Sequence, residues 1–126
     1  MPSYVIKRSP DTDEYLIWST VVGAPTSYVL TCQDMFNYLT LTLRKDIDHP
    51  SIQRQLDEAE ERLKRADQHG TSAFSGDYGF EHEEFLWMEG APEDLGRVWS
   101  YDDGKVGMGK LLTREEVFEA AKEEEP

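Results

Sequence analysis

"YVIKRSPDTDEYLIWSTVV", residues 4–22, decides the fold. Two runs rich in β-branched and aromatic residues, 4–8 and 15–22, flank Ser9, Pro10 and Asp11. Such runs suit the pleated, half-buried surface of a strand. Proline presets φ and aspartate can close a turn, so the stretch predicts a β-hairpin. Gly23, Ala24 and Pro25 break the pattern, and "TSYVL" at 26–30 resumes it as a short third strand. Thr31 then opens a helix. Its hydroxyl can accept from first-turn amides, and Asp34 suits the positive helix end. Met35, Phe36, Leu39 and Leu43 fall on one helical face, although "YLTLTL" at 38–43 also alternates like a strand.

The same order returns near the other end of the chain. Residues 97–112 predict a second hairpin, with strands at 97–101 and 106–112 around "DDGK". Asp-Gly between short apolar runs is a strong hairpin signal. Thr113 caps a final helix, with Glu116 at the capping-box position. Trp18, Thr31 and Phe36 match Trp99, Thr113 and Phe118 in order and nearly in spacing. A degenerate ββα repeat over 4–43 and 97–122 is one reading; chance is its rival, because capping after a strand is common.

The clearest single element lies between the two units. "PSIQRQLDEAEERLKRADQHG" predicts a central helix over 50–69, with Pro50 in its first turn and Gly70 just past its end. Ile52, Leu56, Ala59, Leu63 and Ala66 form a narrow apolar stripe. Glu58–Arg62, Glu60–Lys64 and Glu61–Arg65 stand in the favourable i, i+4 order on the outer face. The expected fold is α+β: one domain over 1–126, an antiparallel sheet built from two hairpin–helix units, with the helices on one face and the long central helix packed there.

"TSAFSGDYGFEHEEFLWMEGAPEDLG", residues 71–96, joins the central helix to the second unit. It holds seven carboxylates, no Lys or Arg, and five aromatics. Two readings compete. In one it is a long connection whose rings cover the sheet while its acids face water. In the other it contacts a basic partner: Trp87 or Phe85 is the anchor, Glu81, Glu83 and Glu84 steer, and Tyr78 and Phe80 complete the surface.

Composition narrows the class. The chain has 126 residues, a size that folds without metal or disulfide. Its formal charge is −13, which repels nucleic acid and anionic membranes and favours basic partners. Cys32 is the single cysteine, read as a half-buried reduced thiol. "MPSYVIKRSPD" has no long apolar core, and no run approaches the ~20 residues of a membrane span. A cytoplasmic protein is expected.

Catalytic and cofactor signals are sparse. "GKVGMGK" at 104–110 lacks the spacing of a phosphate loop and reads as turn and bulge glycines. His82 in "FEHEEF" offers ligands in diverging directions, short of the three or four that a metal needs. His69 suits the dipole at a helix C-terminus. No nucleophile motif accompanies the Ser and His residues. No cofactor or metal is therefore expected.

"YVIKRSPDTDEYLIWSTVVGAPT", "LTCQDMFNYL" and "ERLKRADQHGTSAF" resemble small uncharacterised accessory proteins of actinobacteria and their phages. The resemblance implies a cytoplasmic protein of phage or prophage type and carries no site. The first functional reading is a non-enzymatic, acidic protein-binding module that modulates a host or phage machine. A sharper form is an inhibitor that mimics nucleic acid and occupies a basic groove. The alternatives are an enzyme with a carboxylate-based site, and a structural or assembly protein. The last would dimerise through Ile52, Leu56, Ala59, Leu63 and Ala66.

Overall fold

A computed structural model describes residues 3–20, 23–41, 51–87 and 110–123. The expected strand at 97–101, its "DDGK" turn, most of the strand at 106–112, and residues 88–96 of the acidic connection lie outside the described residues. So do Pro50 and Leu43.

The opening hairpin forms as β1 (Ser3–Lys7) and β2 (Tyr15–Ser19), paired antiparallel with Tyr4 opposite Trp18 and Ile6 opposite Leu16. The third strand is not where the sequence pattern puts it. β3 is Ala24–Pro25, held to β2 opposite Ser19 and Trp18. Gly23 makes the approach possible with φ of 66°. Residues 26–30 still follow β2, but the ladder is interrupted. Thr26 donates its amide to the Ile17 carbonyl, but the Ile17 amide donates to the Ser27 hydroxyl at 2.9 Å, and backbone pairing resumes between Leu30 and Tyr15. A serine side chain has replaced a strand carbonyl, which a β-propensity reading cannot foresee.

α1 (Cys32–Leu39) starts at the expected cap, with the Asp34 amide donating to Thr31 Oγ1 at 3.1 Å. α2 (Ile52–His69) is capped by Ser51, whose hydroxyl accepts from the Arg54 amide. It ends at Gly70, which has φ of 83° and donates to the Ala66 carbonyl. The expected Glu61–Arg65 pair is present at 3.6 Å. β4 (Phe85–Trp87) and β5 (Lys110–Leu112) pair antiparallel. α3 (Arg114–Glu123) follows a reciprocal capping box. The Glu116 amide donates to Thr113 Oγ1, and the Thr113 amide donates to the Glu116 carboxylate.

The fold class is α+β with antiparallel sheets, as expected, and the long helix packs against strands. Two details differ. The described strands form two sheets, β1–β2–β3 and β4–β5. Pro25 has no N–H to extend the first sheet, which suits an edge. The helices also do not share one face. Val5, Tyr15 and Ile17 pack with Met35 of α1 and with Leu63 and Ala66 of α2. Ile6, Leu16 and Trp18 pack on the opposite side with Phe85, Trp87, Val117, Phe118 and Ala121. The reason is visible in "YLIW": its four residues are all buried, so both sheet faces need a cover. Burying each such side chain contributes roughly 1.5–3 kcal/mol.

The chain just beyond α2 completes the sheet edge. Lys7 donates its amide to the Gly70 carbonyl, Ser72 donates to the Val5 carbonyl, and Val5 donates to the Ser72 hydroxyl. Gly70, Thr71 and Ser72 are consequently buried. This strap delivers the acidic segment to the surface at Phe74.

Candidate functional site

Beyond the strap, residues 73–82 turn repeatedly. Gly76 donates to Ala73, Gly79 to Gly76, and His82 to Gly79. Two glycines and an aspartate within five residues supply the chemistry: Gly76 has φ of 81°, and Asp77 accepts from the Ser75 hydroxyl at 2.8 Å. Against the end of α2 this loop shapes an open groove of about 870 Å³. Arg65, Phe74, Asp77, Tyr78, Phe80 and Glu81 are among its lining residues.

Phe74 stands at the surface, 89% exposed, with the Arg65 guanidinium 4.0 Å from its ring centre. Arg65 is fixed there by donating Nε to the Ser72 carbonyl at 2.9 Å, and by Glu61. Asp77, Glu81, Glu83 and Glu84 are all exposed.

Tyr78 is the positive-φ residue other than glycine among the described residues, at 66°. A bulky side chain there is strained and persists only if its surroundings hold it. They do. Its ring packs against Phe85 at 5.5 Å, Trp18 at 5.7 Å and His82 at 5.0 Å. Its carbonyl accepts from both terminal nitrogens of Arg114. Arg114 is 8% exposed and donates also to the carbonyls of Gly79, Gly70 and Lys7. Burial pulls its pKa down to about 10. One guanidinium therefore ties β1, the strap, the loop and α3 together. Phe80 closes the floor over Gly70, where a Cβ would meet the Phe80 amide at 2.6 Å.

The residues expected to touch a partner divide. Glu81, Glu83 and Glu84 face solvent, and Tyr78 and Phe80 are half-buried in the groove. Phe85 and Trp87 are core: they are 1% and 4% exposed and pack with Trp18 and Phe118. Neither ring is open to a partner, because alternate residues of β4 point to the same covered face. Phe74, which the sequence pattern does not single out, is the exposed one of the five Phe, Tyr and Trp rings in residues 71–96. The buried Trp18 Nε1 has no hydrogen-bond partner among the described residues.

Two other clusters bring charged groups together. On the α1–α2 side, buried Lys7 binds Asp67, whose carboxylate also lies 3.5 Å from the Tyr15 hydroxyl. A groove of about 680 Å³ runs beside them, past Cys32, Phe36 and Glu60. Burial pushes the Cys32 thiol up, away from the reactive thiolate. Near α3, Arg8 bonds Glu14, Glu115 and Glu119, and Lys122 bonds Glu14. Ala59, Leu63 and Ala66, expected at a dimer face, are buried within the chain's own fold, leaving Ile52 and Leu56 half-buried.

Among the described residues no group of three or more His, Cys, Asp or Glu side chains is placed to hold a metal. No described helix is long and apolar enough to cross a membrane. Comparison with known protein families, with curated proteins and with solved structures finds no match, so the chemistry of these surfaces alone carries the functional reading.

Proposed function

We propose that the chain is a non-enzymatic, acidic protein-binding module that engages a basic surface through residues 73–84. Phe74 is the anchor, and Asp77, Glu81, Glu83 and Glu84 are the steering charges. The observation that carries this reading is the 89% exposure of Phe74 beside four exposed carboxylates. Exposed aromatic rings anchor interfaces, and like-signed charges around them speed encounter with an oppositely charged partner. The strained Tyr78 adds support, since strain collects at sites where a surface is held ready. In a protein of phage or prophage type, the partner would belong to a host or phage machine.

An enzymatic, carboxylate-based reading is weaker. A general acid needs a raised pKa. Glu14, Asp67 and Glu115 all shift the other way. Lys122 and Arg8 overcome the burial that works to raise Glu14. Bonds to Lys7 and to Arg8 lower Asp67 and Glu115.

The test is capture from an actinobacterial host lysate by the wild type, by Phe74→Ala and by the triple variant Glu81→Gln, Glu83→Gln, Glu84→Gln. One identified basic protein, retained by the wild type and lost by Phe74→Ala, is the expected result. For that partner the triple variant slows association, most at low salt. Equal capture by all three proteins would overturn the reading.

A further inference from the structure

Resting on the reading above, we infer that the groove beside Phe74 takes an arginine side chain of the partner in preference to lysine. The chain already contains the intended contact in miniature. The Arg65 guanidinium lies over the Phe74 ring at 4.0 Å, yet the ring remains 89% exposed. Arg65 stands over one face, and most of the ring surface stays open to solvent. A planar guanidinium can stack on that open face while its edge donates in plane; an ammonium is a compact, strongly hydrated charge that does only one of these well.

The groove supplies what that edge requires. Asp77 and Glu81 line it, both are exposed, and neither joins an ion pair among the described residues. Asp77 accepts one hydrogen bond, from Ser75, which leaves acceptor capacity on its carboxylate. Arg65 does not repel the newcomer unopposed, since Glu61 lies 3.6 Å from it and the two groove carboxylates outnumber it. The floor is set in advance by Tyr78, whose backbone and ring are held on both sides by Arg114 and Phe85. A preset floor lowers the ordering cost of binding.

The experiment is a fluorescence-anisotropy titration of the intact chain with labelled hexa-arginine and hexa-lysine peptides at fixed salt. It is repeated with Phe74→Leu and with the pair Asp77→Asn, Glu81→Gln. Hexa-arginine should bind about two- to fivefold tighter than hexa-lysine. Phe74→Leu, which keeps an apolar side chain but no ring, should erase that ratio. The paired variant should weaken hexa-arginine more than hexa-lysine. Equal affinity for the two peptides, or a preference that survives Phe74→Leu, overturns the arginine inference and leaves the basic-partner reading standing. Binding of neither peptide overturns both.

Discussion

Phe74 and Phe85 sit in the same acidic stretch and meet opposite fates. Phe74 is 89% exposed at the lip of a groove; Phe85 is 1% exposed between Trp18 and Phe118. Composition treats them alike. What separates them is backbone geometry. Around Phe85 the chain is extended and pairs with β5, so Phe85 and Trp87 turn to one face and plug the sheet. Around Phe74 the backbone turns on glycines and has no covered face to offer. An acid-rich, aromatic-rich segment can therefore be core in one part and open surface in another, with Tyr78 and Arg114 at the join.

The comparison breaks most readily at its buried end. Phe85→Ala should destabilise the protein by about 3–5 kcal/mol, because a large ring leaves a cavity between two layers. Phe74→Ala should stay within about 0.5 kcal/mol of wild type. Urea denaturation midpoints at constant m measure both; similar shifts would erase the distinction.

Arg114 sharpens the join. Arg114→Met removes a donor set that serves Lys7, Gly70, Tyr78 and Gly79; Gly70 and Gly79 keep the amides of Lys7 and His82, whereas the carbonyls of Lys7 and Tyr78 lose the guanidinium that serves them. A loss of about 3 kcal/mol is expected. Amide exchange should accelerate in residues 73–82 more than in α1. Protection of that loop at the wild-type level would show that the rings alone hold it.

A smaller effect concerns pH. Glu14 and Glu115 are held below their ordinary value of 4.5, and Asp67 below 3.8. Groups with depressed folded-state pKa values add stability above their unfolded values, and lose it as pH falls through the folded ones. Stability from these pairs should thus be full above about pH 5 and decline on acidification. Glu115 and Asp67 are largely exposed, so solvent screening keeps the effect small. Arg8→Met should flatten the acid decline relative to wild type in midpoints measured from pH 6 to pH 3. An unchanged slope would mean that the Arg8 cluster adds nothing.

Much of the fold was legible in the sequence where local chemistry decides. The caps at Thr31 and Thr113 rest on hydroxyls that accept from nearby amides, the stop at Gly70 on a residue with no Cβ to oppose a φ of 83°, and the hairpin of β1 and β2 on two strand-forming runs around a turn. The stripe of Ala59, Leu63 and Ala66 followed from periodicity. The rest needed tertiary information. Ser27 stands in for a strand carbonyl because Ile17 lies opposite, and no local pattern contains Ile17. Arg114 carries one hint in the sequence: a cation in the first turn opposes the helix dipole, so something else must hold it there. The choice between Phe74 and Phe85 was half visible. Phe85 and Trp87, two residues apart, share one face of a strand, and "SGDYG" after Phe74 is turn chemistry; spacing alone does not say whether that face is covered, so Trp87 or Phe85 stands as the anchor in the sequence and only the structure moves that place to Phe74.

The account's central claim is that the acidic stretch divides into a contact half and a core half. Amide chemical shifts of ¹⁵N-labelled protein, followed during titration with hexa-arginine, test it most directly. The predicted result is saturable shifts centred on Phe74, Asp77 and Glu81, with Phe85 and Trp87 little moved. Shifts spread evenly over the acids of α2, such as Asp57, Glu58 and Glu60, and weak at Phe74, would contradict it.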